Sequence, residues 1–250
     1  MAEDHERNRT AWDATSDAYQ ARHREQLARA PTAWGIWSLP ECELQMLGDV
    51  AGRDVLEYGC GGAQWSIALA AQGARCTGLD NSARQLAHAR DAVAASEANV
   101  TLVHASGERT PFANASFDVV FCDHGAMSFA DPARTIPEVA RILRPGGVFA
   151  FSLAHPIHGM AWDDTADAPS ATMHRSYFEA GPLVDPVDGG VSYYAPVSAY
   201  VTRLIEYGFT IEKLLEPQPA AGATTTYADF APYAWARRFP AELLIRARKR

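Results

Sequence analysis

The chain has 250 residues, 48% of them hydrophobic and 21% charged, with a formal net charge of −8. That length suits one α/β domain with insertions and is short for two full domains. The acidic balance argues against nucleic-acid and anionic-membrane partners, the basic end Arg246-Ala247-Arg248-Lys249-Arg250 reads as a solvated terminus, and no apolar run approaches a membrane span.

Residues 7–29 have helical spacing, with Trp12, Ser16, Tyr19, His23 and Leu27 near one narrow face. A face so thinly apolar suits a lid as well as a core element. Pro31 and Pro40 bracket a linker whose Trp34, Ile36 and Trp37 need burial, and residues 41–47 read as a short helix. An apolar strand, Asp54-Val55-Leu56-Glu57-Tyr58, then runs into Gly59-Cys60-Gly61-Gly62. A helix from residue 63 to residue 72 stops at Gly73, placed as a C-cap, and a second strand, residues 75–80, ends in Asp80.

This strand, glycine turn, helix, strand and acid form the signature of a nucleotide-type cofactor site. Glycines remove side chains from the turn, the helix start offers unpaired N–H groups, and the acid accepts bonds from ribose hydroxyls.

Further along, Ser82 and Gln85 have capping-box spacing before an alanine-rich helix ending near Glu97. Residues 100–104 and 116–122 read as strands, the second apolar without alternation, as expected of a strand buried on both faces. Asp131-Pro132 starts a helix in which Pro137 predicts a kink or restart. Leu143-Arg144-Pro145-Gly146-Gly147 turns into a fifth strand over residues 148–153. Strands alternating with helices predict a doubly wound parallel sheet. From residue 155 to residue 195 the pattern is lost; Asp163, Asp164 and Asp167 lie there with Trp162, Tyr177, Phe178, Tyr193 and Tyr194. An irregular, aromatic-rich stretch of this length reads as a functional lid. A helix over 197–207 and strands over 209–215 and 242–247 complete the chain.

A dinucleotide fingerprint needs a third small residue where this chain has Gln64, so a nicotinamide cofactor, and with it an NAD(P)-dependent oxidoreductase, is the weaker alternative. In order and spacing, Val55 to Gly61, Gly78-Leu79-Asp80-Asn81-Ser82, Pro111-Phe112 with Ser116 to Val120, and Leu143 to Gly147 resemble the class I S-adenosylmethionine-dependent methyltransferases. The resemblance is to their small-molecule branch and is similar to actinobacterial enzymes of secondary metabolism. It implies a Rossmann-like methyltransferase fold: an α/β, doubly wound, mostly parallel seven-stranded sheet. A single domain is expected, divided into an N-terminal helical lid (1–50), a cofactor core (51–154), a substrate-lid insertion (155–195) and a C-terminal helix and strand pair (196–250).

The resemblance also implies roles. Gly59 and Gly61, with Cys60, let the backbone meet the methionine part of S-adenosylmethionine; Asp80 takes the ribose hydroxyls, and Asn81 lies beside the adenine. Where relatives present an acid to the adenine amino group this chain has Ser106, with Gly107 and Glu108 as substitutes. Trp12-Asp13 and Tyr19 match a helix that folds over the cofactor, placing Tyr19 near its carboxylate. Glu57, Gln64, Gln85 and Asp123 complete the expected cofactor set.

Methyl transfer is an in-line displacement governed by positioning, helped by a base near neutral pKa when the acceptor must lose a proton. His124, His155 and His158 follow the fourth and fifth strands and are the candidate bases, each also readable as a structural hydrogen-bonding residue. Cys42, Cys60, Cys76 and Cys122 are too widely spaced for a metal site, and the polar N-terminus lacks a signal core, so a reduced, cytoplasmic setting is expected. The function expected is O-methylation of an uncharged or cationic ring-containing small molecule. N- or C-methylation, or S-adenosylmethionine binding without transfer, are the alternatives.

Overall fold

The computed structural model describes residues 2–179 and 181–250. Helix α1 (Ala2–Arg29) leads to a hairpin, β1 (Ala33–Trp34) and β2 (Leu39–Pro40), and the side chains of Trp34, Ile36 and Trp37 are buried as their size requires. Helix α2 (Glu41–Leu44) stops short of residue 47 because Gln45 turns left-handed, φ +50. Strand β3 (Asp54–Tyr58), α3 (Gln64–Ala71), β4 (Arg75–Asp80), α4 (Ala83–Ser96), β5 (Val100–His104) and β6 (Phe117–Asp123) follow close to the expected bounds. Ser82 caps α4 by accepting from the Gln85 N–H, but the Gln85 side chain does not return the bond; it accepts from Gln20 instead.

A short α5 (Ala126–Phe129) precedes α6 (Pro132–Ile142), where the Asp131 carboxylate accepts from the Ala133 N–H. The expected restart at Pro137 does not occur: one helix runs through it. Proline removes a single N–H, and burial of Ile136, Val139 and Ile142 in the core offsets that loss, at about 1.5–3 kcal/mol per large apolar side chain. Strand β7 (Leu143–Ala154) takes in the Pro-Gly-Gly turn as an irregularity, with a register shift against β6 between Phe117 and Val119.

The stretch 155–195 is more regular than its sequence predicts. It holds α7 (Pro156–Ala161) and two hairpins, β8 (Trp162–Asp163) with β9 (Ala168–Pro169), and β10 (Gly181–Val184) with β11 (Val191–Tyr194). The chain closes with α8 (Val197–Glu206), β12 (Phe209–Leu215), α9 (Tyr233–Ala236) and β13 (Glu242–Lys249).

Among the described residues the main sheet has seven strands in the order β12-β13-β7-β6-β3-β4-β5. Strands β3 to β7 pair in parallel, while β13 runs antiparallel to both β7 and β12. The strand order reverses between β3 and β6, and open α/β sheets bind ligands at the carboxyl edge of such a reversal. Because β13 is antiparallel, it begins at that same edge, with Glu242 opposite Ala154. Apolar clusters cover both faces: Tyr58, Phe149, Phe151 and Leu204 belong to one, Trp34, Val55, Trp65 and Phe121 to the other. No helix among the described residues is long and apolar enough to cross a membrane.

Helix α1 is held over the carboxyl edge by polar bonds. The Asp13 carboxylate accepts from the Ser82 hydroxyl (2.6 Å) and the Arg84 N–H (3.1 Å), at the start of α4. On the other side Asn8 exchanges two hydrogen bonds with the backbone of Val191 in β11.

Candidate functional site

A cavity of about 320 Å³ opens at the carboxyl ends of β3, β4 and β6, at the small end of the range for small-molecule sites. Its floor is the turn after β3. Gly59 (φ +92) cannot be replaced there, since a Cβ would lie 2.5 Å from the Ala126 nitrogen. The missing side chain thus admits the Gly125-Ala126 backbone, a packing reason beyond the ligand approach expected of it. Gly61 is the more open glycine: a Cβ there would meet nothing closer than the Gln85 and Gln20 side chains, at 3.7 and 3.8 Å.

Asp80 ends β4 beside this turn, and its carboxylate accepts from the Gly61 N–H (2.8 Å) and the Ser82 N–H (2.8 Å). Burial raises its pKa against the pull of these bonds, and the group faces the cavity. Asn81 lines the cavity next to it, its amide donating to the His5 carbonyl. Glu57 is buried beneath the turn, where one carboxylate oxygen accepts from both the N–H (2.9 Å) and the hydroxyl (2.5 Å) of Ser66 in the first turn of α3. Burial pushes its carboxyl up to about 8, the Ser66 bonds pulling the other way. Its position therefore combines anchoring of α3 with exposure to the cavity.

Three glutamines form a chain above the turn. Gln20 of α1 donates to Gln85 (2.8 Å) and accepts from Gln64 (3.2 Å). Gln64 and Gln85 were expected here; Gln20 was not, although its i+4 spacing from Ser16 puts it on the same helix face. Cys60, Ser106 and Gly107 also line the cavity, and Gly107 accepts from the Tyr58 hydroxyl through its carbonyl. Glu108 does not line it. Its carboxylate turns to α6, accepting from the Asp131 N–H (3.2 Å) and pairing with Arg134 (3.1 Å), because a cation and a helix start outside the cavity compete for it.

Opposite the turn the wall is aromatic. Trp12 lies edge-on to both Tyr19 and Phe129, and the Tyr19 and Tyr227 hydroxyls are 2.8 Å apart. Tyr227 stacks on His23 at 3.9 Å, and Gln26 accepts from the Thr226 N–H (2.7 Å). These contacts clamp the loop of residues 225–230 onto α1. Sequence reasoning missed that loop, since its anchors lie some 200 residues away. Carboxylates of Glu57, Asp80 and Asp123 line the cavity, and among the described residues no arginine or lysine does. Asp123 is committed structurally: it accepts from the Gly35 N–H (2.9 Å), the Ser152 hydroxyl (2.5 Å) and the Trp65 indole (3.3 Å).

Of the three candidate histidines, only His124 reaches the cavity. It follows β6 with a left-handed backbone, φ +50, and its Nε2 lies 2.6 Å from the Glu242 carboxylate. Burial lowers its pKa, but the Glu242 bond and charge, with Asp123, outweigh burial and hold it above the ordinary value. His155 caps α7, accepting from the Ile157 N–H at Nδ1 and meeting Glu216 at Nε2 (2.8 Å). His158 is buried against Phe230, bonds the Phe230 carbonyl (2.8 Å), and is pushed down to about 4 mainly by burial. Neither lines the cavity: His158 packs against Phe230 of the 225–230 loop, and His155 faces Glu216. The 155–195 segment contributes no lining residue among those described: Asp163 closes its own turn on Thr165, and Asp164 pairs with Arg175.

Residues 56–151 match the family of methyltransferase domains. The chain is similar to the ubiquinone biosynthesis O-methyltransferase of Aromatoleum aromaticum, 40% identical over 104 residues, covering 41% of this chain and 44% of that protein. It is also similar to the demethylmenaquinone methyltransferase of Listeria monocytogenes, 36% identical over 103 residues, 40% of this chain and 44% of that one. The match thus spans under half the length of these curated relatives. A crystal structure of an S-adenosylmethionine-dependent methyltransferase from Mesorhizobium loti superposes with a TM-score of 0.68 at 29% identity, over 83% of this chain and 96% of that one.

Proposed function

We propose, from the premise that residues 56–151 form the core of a class I S-adenosylmethionine-dependent methyltransferase, that the chain methylates a hydroxyl of an uncharged or cationic ring-containing small molecule. The observation that carries the acceptor side is His124 in the same cavity as Asp80 and the glycine turn, facing an aromatic wall.

The residues present fit the cofactor. Asp80 is positioned for the ribose hydroxyls, Asn81, Ser106 and Gly107 for the adenine, and the amides of Gln20, Gln64 and Gln85, with Tyr19, for the amino-acid end. The Asp80 and Asp123 carboxylates in the wall, with no arginine or lysine lining it among the described residues, favour a positively charged ligand. When bound, S-adenosylmethionine supplies a methyl on a sulfonium, whose transfer to oxygen breaks the C–S bond, leaves the electron pair on sulfur and releases the hydroxyl proton.

The chain's own residues do the rest. Trp12, Phe129, Tyr227 and Phe230 offer an apolar, aromatic surface for an acceptor ring, which favours rings over extended polar substrates. His124 receives the hydroxyl proton, a contribution of about 10²–10⁴-fold in rate for a well-placed base. Incubation of the protein with metabolite extract and methyl-deuterated S-adenosylmethionine, read by mass spectrometry, tests the reading. The expected result is a deuteromethyl ether that disappears with His124→Ala; a labelled amine or carbon, or no labelled product, counts against it.

A further inference from the structure

His124 is held by a residue from the far end of the chain. Glu242 opens β13, the antiparallel strand, and its side chain is fully buried at the carboxyl edge of the sheet. One of its oxygens accepts from the Ile36 N–H (2.7 Å) and meets His124 Nε2 (2.6 Å), while the other is buried with no hydrogen-bond partner. A buried carboxylate with one oxygen unsatisfied is costly unless a positive charge stands against it. His124 is the adjacent group that gains such a charge.

Two further features build the pair in. Gly35 (φ +69) passes so close that a Cβ would lie 2.3 Å from Glu242 Oε1, so the chain keeps a bare backbone there to make room for the carboxylate. His124 itself adopts the left-handed region, φ +50, which L residues seldom occupy. Nε2 is the ring nitrogen that meets Glu242, which leaves Nδ1 as the other one, and the ring keeps access to the cavity. The other titratable groups around the pair among the described residues are Asp123, next in sequence, His158, beyond Phe230, and Tyr227, whose hydroxyl feels the charges of Glu242 and Asp123.

We propose that Glu242 is the positioning residue of a His124–Glu242 dyad: it fixes the Nε2–H tautomer, so that Nδ1 presents its lone pair to the acceptor, and it balances the imidazolium formed when the proton arrives. The inference rests on the methyltransferase reading for the identity of the proton donor. A carboxylate that orients and charge-compensates an imidazole in this way acts through the histidine rather than on the substrate.

The test combines ¹⁵N-histidine NMR of the full chain, which needs no acceptor, with kinetics once a product is known. Wild-type His124 is expected as the Nε2–H tautomer, and in Glu242→Gln its titration midpoint moves to lower pH. With acceptor, Glu242→Gln is expected to lower kcat by about 10²-fold or more with KM little changed, to move the acid limb of the pH–rate profile to lower pH, and to add little to His124→Ala. A wild-type His124 protonated on Nδ1 overturns the dyad even if every Glu242 variant fails to fold. So does a Glu242→Gln protein with unchanged titration, or a loss that multiplies fully with that of His124→Ala. Absence of any methyl transfer, with tautomer and titration as expected, counts instead against the methyltransferase reading.

Discussion

Glu57 sits where burial and hydrogen bonding oppose each other. Its carboxyl rises from an ordinary 4.5 to about 8, burial winning over two bonds from Ser66. The folded chain therefore keeps a proton that the unfolded chain has lost between these values, so stability falls as pH rises from 4.5 to about 8 and stays low above it. Glu57→Gln keeps an oxygen for Ser66 and removes the titration. It is expected to match wild type in urea unfolding at pH 5 and to exceed it by up to a few kcal/mol at pH 9. Equal stability at both pH values would show that Glu57 is hydrated through the cavity. At Gly35, substitution by Ala meets both a positive φ and the Glu242 carboxylate, and loss of His124 positioning is expected along with lower Tm.

At the scale of elements, α1 is a wall of the cavity, attached by hydrogen bonds as well as by aromatic contacts of Trp12, Tyr19 and His23. Gln20→Ala removes both bonds of the glutamine chain and leaves Gln64 and Gln85 without their partner, at about 1–3 kcal/mol. The expected outcome is faster amide hydrogen exchange along α1 and weaker binding of S-adenosylmethionine, with exchange in β3 and β4 unchanged. Uniform acceleration would mean that α1 is part of the core instead. The segment 155–195 makes the opposite prediction. Its acids face their own turns and Arg175, so Asp163→Asn with Asp164→Asn is expected to leave cofactor affinity within about twofold of wild type, well under the 1.4 kcal/mol of a tenfold change, measured by calorimetry.

These elements divide by how far away their determinants lie. The strand at Val55, the glycine turn, the Asp80 tip and the Asp131 cap announce themselves within a few residues, because backbone conformation and burial on a parallel strand are local properties. Their bounds and the sheet they form follow from the sequence alone. The helix continues through Pro137 instead of restarting there, because packing of Ile136 and Val139 offsets the lost N–H. The aromatic side of the cavity is written at long range: Tyr227 needs Tyr19, Gln26 needs Thr226, and His124 needs Glu242. An acid opening the apolar strand of residues 242–247 was a visible signal, but its meaning depends on that strand being antiparallel. His155 and His158 were drawn in by their position after β7, but they meet Glu216 and Phe230 rather than lining the cavity.

For the whole molecule, the strand order β12-β13-β7-β6-β3-β4-β5 brings the ends of β3 and β4, proposed to hold the cofactor, beside the end of β6 and the start of β13, proposed to face the acceptor. In the proposed reading Asp80 takes the ribose hydroxyls, and a hydrogen bond to a charged group contributes about 1.5–3 kcal/mol, or some 10- to 150-fold in affinity. Calorimetric titration of wild type and Asp80→Ala with S-adenosylmethionine, and of wild type with NADH, tests this most directly. One S-adenosylmethionine site per chain is expected, weakened at least tenfold by Asp80→Ala, with no NADH binding. Tight NADH binding, or S-adenosylmethionine affinity indifferent to Asp80, would contradict it.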